Sequence, residues 1–215
     1  TQSTWGCIFH RQRKMNAVAF FVAILVATSS ATLISAATVN PKGQNVAYIK
    51  SACQATIYKD ICYQTLYRYS DSIQRNPLRL TRAAMAVSLL QNNRLAAYIL
   101  SRKQAGYRPY DHRTVSAISD CNGNLRDSVS QISDSMRQMR SLTAATHSSD
   151  FVFQMSNVQT WMSSALTDLE TCTDGFQQVR GGTTKADIVG RVNAVKKVTS
   201  NALALVNRYA YRKGY

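Results

Sequence analysis

Two apolar stripes between residues 115 and 176 constrain this chain more than any other feature. The first runs Val115, Ile118, Cys121, Leu125, Val129, Ile132, Met136 and Met139, always in steps of three or four. The second runs Met155, Val158, Met162, Ala165, Leu169, Cys172 and Phe176, with threes and fours in strict alternation. Such spacing puts every member on one face of an α-helix and none of them on one face of a strand. Punctuation agrees, because nine Gly and three Pro in 215 residues are too few for a turn-dense β-sandwich or barrel. At 45% hydrophobic and 17% charged, the chain is neither disordered nor membrane-rich throughout.

Two further helices flank this pair. Pro77 suits the first turn of one that reaches about Lys103, before Gly106 and Pro109 interrupt it. Its apolar positions read Leu80, Ala84, Val87, Leu90, Ala97 and Leu100, with Arg94 as an interruption. The other follows Gly181-Gly182, opens with Thr184 and Asp187 in the spacing of a capping box, and carries Ile188, Val192, Val195, Ala202, Leu205 and Tyr209. Four amphipathic helices of about 25–30 residues, each roughly 40 Å long, bury their stripes best as an antiparallel up-and-down four-helix bundle. The expected fold class is all-α, with the bundle over 76–209.

Ahead of the bundle, residues 15–37 read MNAVAFFVAILVATSSATLISAA. Arg11, Arg13 and Lys14 precede the apolar run from Ala17 to Ala27, and Ser35-Ala36-Ala37 supplies small residues for cleavage. That is the anatomy of a secretory signal peptide, and the run falls short of the roughly 18–20 residues that a membrane anchor needs. Met15 stands where an initiator belongs, so residues 1–37 are expected to be an upstream extension plus signal, with Trp5, Cys7 and His10 carrying no function. The mature protein is expected to be one domain over 38–215, secreted, with no membrane attachment after cleavage.

Removing that segment leaves Cys53, Cys62, Cys121 and Cys172, an even number in an exported chain, and hence two disulfides in one of three connectivities. If helices two and three reverse near residue 145, Cys121 and Cys172 lie at similar heights on inward stripes, where a bridge is geometrically reasonable. Cys53 and Cys62 are nine residues apart, a rise of about 13.5 Å in a straight helix, so a bridge between them requires the chain to reverse. The segment 46–72 is then a short stapled helical hairpin whose Tyr48, Ile49, Ile61 and Leu66 need a surface to pack against. A metal site is not expected, because no C-x-x-C pair occurs and His112 and His147 lie near no cysteine. Neither sequence nor spacing implies a cofactor.

The runs YIKSACQATIYKDICYQTL, DCNGNLRDSV and NVQTWMSSALTDLETCTDGF resemble the plant invertase and pectin methylesterase inhibitor family, from about Val46 to Tyr209. The resemblance implies a secreted four-helix bundle with an N-terminal hairpin, bridged Cys53–Cys62 and Cys121–Cys172. Gln159-Thr160-Trp161 and Ala165-Leu166-Thr167 look more like the pectin methylesterase branch than the invertase branch. Tyr58-Lys59 departs from the family, where a proline is common in the first hairpin. Because the family domain also precedes esterase catalytic domains, and this sequence runs only six residues past Tyr209, a stand-alone inhibitor is expected.

Charge then suggests where a partner docks. The chain has 26 Lys+Arg against 11 Asp+Glu, a formal net charge of +15, yet eight of its acids fall on helices two and three or their ends. Asp120, Asp127 and Asp134 repeat every seven residues and so share a stripe away from the core. A merely solvated helix face is the plain alternative. The resemblance carries enzyme contacts onto Asn124, Asp127, Ser130, Thr171 and Asp174, whereas Trp161 reads as a packing residue. It implies a one-to-one complex with pectin methylesterase that limits demethylesterification of cell-wall pectin in the apoplast. Inhibition of acid invertase and non-inhibitory binding of wall polysaccharide are the alternatives. The basic remainder, including Lys196, Lys197, Arg208, Arg212 and Lys213, suits weak electrostatic retention on acidic pectin or simple solubility. Nucleic acid is not an expected partner, since export and the lack of a recognised motif both argue against it. Nor is catalysis expected: G-x-S-x-G, H-E-x-x-H, G-x-G-x-x-G and the P-loop are all missing from the sequence.

Overall fold

Side-chain caps mark the start of three of the helices. The computed structural model describes residues 40–104, 111–142 and 148–213. The expected signal peptide at 15–37 and the reversal near residue 145 lie outside them. Asn40 accepts a hydrogen bond from the Gly43 N–H (3.1 Å) and, with Pro41 in the first turn, starts α1 (Pro41–Cys53). Next come α2 (Lys59–Leu66), a 3-10 turn (Tyr67–Tyr69) and the single turn α3 (Ser70–Ile73). The left-handed pair Gln74 (φ 49°) and Arg75 (φ 57°) then turns the chain into α4 (Pro77–Gln104). There the Asn76 side chain accepts from the Arg79 N–H at 3.0 Å. The bundle continues with α5 (His112–Ser141), α6 (Ser148–Asp174) and α7 (Thr183–Arg212). Asp111 caps α5 by accepting from the Thr114 N–H at 2.9 Å. Among the described residues there is no strand, no helix long and apolar enough to cross a membrane, and no cluster of potential metal ligands.

Both expected disulfides are present: Cys53–Cys62 with Cα atoms 5.7 Å apart and Cys121–Cys172 at 4.3 Å. The second closes a 51-residue separation, worth on the order of 4 kcal/mol in the chain-entropy account. The hairpin packs on the bundle of its own chain. Ile49, Leu66 and Ile73 are buried in one cluster with Ala202, Leu205 and Val206 of α7. At Tyr58, ahead of α2, Asn201 of α7 clamps the turn. Its Nδ2 donates to the Tyr58 carbonyl (2.9 Å), and its Oδ1 accepts from the Tyr58 N–H (3.2 Å).

The stripes of α6 and α7 are buried as expected, at no more than 7% exposure for any named member. The stripe of α4 differs. Leu90 and Leu100 are 44% and 43% exposed, Ala97 is exposed, and Arg94 is no interruption because it too faces solvent. The inward row is Leu80, Ala84, Ser88, Asn92, Leu95 and Ile99. The reason is a polar layer through the middle of the bundle. The Asn92 Nδ2 donates to Thr199 Oγ1 (3.1 Å), Ser88 Oγ and Thr199 Oγ1 lie 2.9 Å apart, and Asn92 Oδ1 accepts from Ser128 Oγ (3.0 Å). All four side chains are fully buried. Ser128 also reaches the Ala165 carbonyl at 3.1 Å, so the layer touches all four long helices. It divides the apolar core into a hairpin-side cluster and one around Cys121–Cys172. Fully partnered groups of this kind cost little and fix helix register, whereas unpartnered ones would be expensive.

The capping box expected at Thr184 and Asp187 does not form. The N-cap of α7 is Gly182 in extended backbone, without a side-chain cap. Asp187 is drawn instead to three groups: the Tyr98 hydroxyl donates to it, Arg191 Nε does so at 2.8 Å, and Arg102 lies at 3.7 Å. Hydrogen bonding from Tyr98, then Arg191, holds its carboxyl below the usual range.

Candidate interaction face on α5 and α6

Register between α5 and α6 decides which exposed residues share a surface. Three inward links fix it: Cys121 to Cys172, Ser128 Oγ to the Ala165 carbonyl (3.1 Å) and Ser135 Oγ to the Val158 carbonyl (3.5 Å). Each step is seven residues forward on α5 and seven back on α6, about 10.5 Å of rise. The helices are therefore antiparallel and locked over some 20 Å. In this register Asn124 and Asp127 stand one and two turns from the disulfide along α5, while Thr171 and Asp174 flank Cys172 at the end of α6. Asp127, Ser130, Thr171 and Asp174 are exposed and Asn124 is half-buried. Helical phase puts Thr171 and Asp174 on the outward face of α6, with Asn124 and Asp127 toward the α6 side of α5 and Ser130 fully outward. The predicted residues thus occupy one side of the hairpin, without direct hydrogen bonds joining them.

Electrostatics gives two of them particular weight. Asp127 acts across the seam on Asp168, whose carboxyl is raised above the usual value by burial first and by the Asp127 charge second. One oxygen of Asp168 is buried without a hydrogen-bond partner. Asp168 adjoins the candidate face, and the sequence alone does not single it out. It was visible only as one acid among eight, and nothing in the spacing says that it shares a seam with Asp127. Asp174 is the last residue of α6, where the partial negative charge of the helix end opposes a carboxylate. Gln177 Nε2 donates to it at 2.9 Å, which is modest compensation.

Beside these acids runs an exposed row of short polar side chains on α6: Thr160, Ser163, Thr167, Thr171 and Asp174. Thr167 Oγ1 donates to the Ser163 carbonyl (3.2 Å) and Thr171 Oγ1 to the Thr167 carbonyl (3.0 Å), which leaves oxygen lone pairs facing out. Thr160, Ser163 and Thr167 also line an open polar groove against α7, closed on the far side by Leu203 and Asn207. Gln159 spans its floor, donating to Asn207 Oδ1 at 2.9 Å. Trp161 is half-buried, in keeping with a packing role. The acidic stripe is only partly free: Asp134 pairs with Arg137 and Asp120 accepts from Ser116 at 3.3 Å.

The side chains exposed on this face are short hydroxyls and carboxylates carried by two locked helices. Comparison with known proteins finds relatives that match over most of their length. A 21 kDa protein of Daucus carota is 38% identical over 86% of this chain and 94% of its own length. Pectinesterase inhibitors 9 and 11 of Arabidopsis thaliana are 35% and 32% identical, covering 88% and 89% of this chain and 94% and 93% of theirs. The latter two are named as inhibitors of an enzyme, not as enzymes. A crystal structure of a mutant form of a pectin methylesterase inhibitor from Arabidopsis superposes with a TM-score of 0.57 at 16% identity, over 74% of this chain and 95% of that one, which supports the fold. The profile described as plant invertase/pectin methylesterase inhibitor matches residues 47–205, and the chain belongs to that family.

Proposed function

We propose that this protein is secreted to the apoplast and binds a pectin methylesterase one to one, covering the enzyme's substrate cleft with the outer face of α5 and α6. The observation that carries the reading is the near full-length likeness to proteins named pectinesterase inhibitors. Asn124, Asp127, Ser130, Thr171 and Asp174 supply the contacts, with Asp168 opposing the Asp127 charge across the seam. Charge-assisted hydrogen bonds from enzyme cations to Asp127 and Asp174 relieve, on binding, the repulsion and helix-end strain that the free inhibitor carries. No cofactor takes part and the inhibitor is not cleaved. Outside this face, the excess of Lys and Arg draws the protein weakly to acidic pectin.

Titrating purified protein against pectin methylesterase and acid invertase in parallel tests the reading. Saturation of esterase inhibition at one equivalent, with invertase unaffected, is the expected result. Inhibition of invertase alone would move the chain to the other branch of its family. No inhibition of either would leave the wall-binding alternative.

A further inference from the structure

A second site lies away from that face, where α1, the start of α4 and the end of α7 meet. The half-open pocket there measures about 180 Å³, and no residue of α5 or α6 lines it. Arg208 and Arg212, one helical turn apart on α7, line it together with Tyr48, Ser51 and Tyr209, while the Thr81 hydroxyl is turned to the Pro77 carbonyl (2.9 Å). No carboxylate lines the pocket. Arg208 is held by one arm, Nη1 donating to the Ala52 carbonyl at 3.2 Å, which leaves its remaining N–H groups for a ligand. Tyr209 is steadied from behind by Phe151 in an edge-on contact with centroids 6.0 Å apart. Both Arg charges reach the Tyr48 phenol, where they oppose the upward effect of burial.

We infer that this pocket binds the carboxylate of an acidic sugar, a uronic acid unit within an oligosaccharide. Two arginines one turn apart, with no acid among the lining residues, give the pocket a local positive charge that a bound anion neutralises. The planar guanidinium fork matches a carboxylate, and the C–H face of a pyranose ring packs against the electron-rich face of tyrosine. The pocket's mixture of apolar walls and a few convergent polar groups is that of a small-ligand site rather than a solvated basic face. The inference shares the charge excess behind the weak attraction to acidic pectin, but differs in being local and saturable. It does not depend on esterase inhibition.

Calorimetric titration with a galacturonic acid trimer at 0.15 M salt tests it. One-to-one saturable binding is expected. The fully methyl-esterified trimer should bind at least tenfold more weakly. Arg208→Gln with Arg212→Gln should lose at least tenfold, while Arg113→Gln with Arg140→Gln, which removes equal charge from α5, should stay within twofold. Should the Arg208 change unfold the protein, the exposed Arg212→Gln alone decides, with a loss of at least threefold expected. Absence of saturable binding, equal binding of acid and ester, or equal losses in the two double variants would each overturn the site. Equal losses would nevertheless leave diffuse attraction intact, and failure to inhibit an esterase would touch neither.

Discussion

Asp174 offers a test in which stability and function should move in opposite directions. Asp174→Asn keeps the Oδ1 atom that accepts from Gln177 and removes only the charge. The last turn of α6 ends in unpaired carbonyls equivalent to about half a negative charge, so removing a carboxylate there should stabilise the free protein by about 0.3–1 kcal/mol. Bound to the enzyme, the same carboxylate would be one partner of a desolvated charge pair. Removing one partner of such a pair costs about 2–5 kcal/mol, or roughly 30- to 5,000-fold in affinity. The assay needs two readouts on one protein: a urea melt of the free inhibitor and a tight-binding inhibition titration of pectin methylesterase. A small rise in midpoint with a large loss of inhibition is expected. A fall in both would assign Asp174 a structural role. Unchanged inhibition would remove it from the interface, and a loss confined to a salt-dependent association rate would move it to the rim.

Four other substitutions probe the scaffold and the seam. Leu169→Ala empties a fully buried position of α6 and should cost about 2–5 kcal/mol in thermal or urea unfolding. Ser163→Ala on the exposed row should change stability by no more than about 0.5 kcal/mol, and equal effects would mean the inward face is misassigned. Asn92→Ala opens a void in the polar layer and strips partners from Ser128 and Thr199, at about 2–4 kcal/mol by the same measurement; a near-neutral result would show that the layer is not worth its burial. For Asp168 the pH dependence carries the information. Its folded carboxyl holds its proton more tightly than the ordinary value of 3.8, so its ionisation weakens the fold as pH rises through that raised value. Asp168→Asn should therefore raise the melting temperature at neutral pH, with the gain fading as the pH falls toward 3.8 and below. A gain that is the same at every pH would sink the assignment.

How far the sequence reached depended on whether a position's chemistry matched its burial. On α6 every inward residue is apolar or a bridged cysteine, so the stripe could be read from spacing alone. On α4 the two central inward positions are Ser88 and Asn92, which mimic a solvent face, and the apolar pattern slid onto Leu90, Ala97 and Leu100 instead. No local rule reveals that a buried Asn is partnered, since its partners Ser128 and Thr199 are 36 and 107 residues away. The failed capping box has the same origin. Thr184 and Asp187 have the right local spacing, but Tyr98, Arg102 and Arg191 compete for the acid from positions that only the folded bundle brings close. Cysteine geometry travelled better, because a nine-residue interval either reverses or cannot be bridged. For the interaction face, residue identities came from the motif around Cys121 and Cys172, whereas the Asp127–Asp168 contact depends on interhelical register.

The chemistry of the outward α6 row also bears on why such a face suits tight contact. Thr160, Ser163, Thr167, Thr171 and Asp174 are all short, and two of the hydroxyls are already tied to carbonyls of their own helix. Ordering a long flexible side chain at an interface costs about 0.5–1.5 kcal/mol each, a term that short, pre-bonded side chains largely avoid. Beneath them, α6 is fixed to α5 by a disulfide and two inward hydrogen bonds over successive heptads, so the backbone bearing the row has little freedom to lose. The exposed parts of α7 contrast with this, carrying long cations such as Lys197 and Arg212 that have more rotamer freedom to lose when a ligand orders them. A specific one-to-one partner gains most from the rigid acidic and hydroxylated face. On this reading the proposed esterase contacts fall on α5 and α6 because short side chains on two locked helices have little entropy to lose on binding.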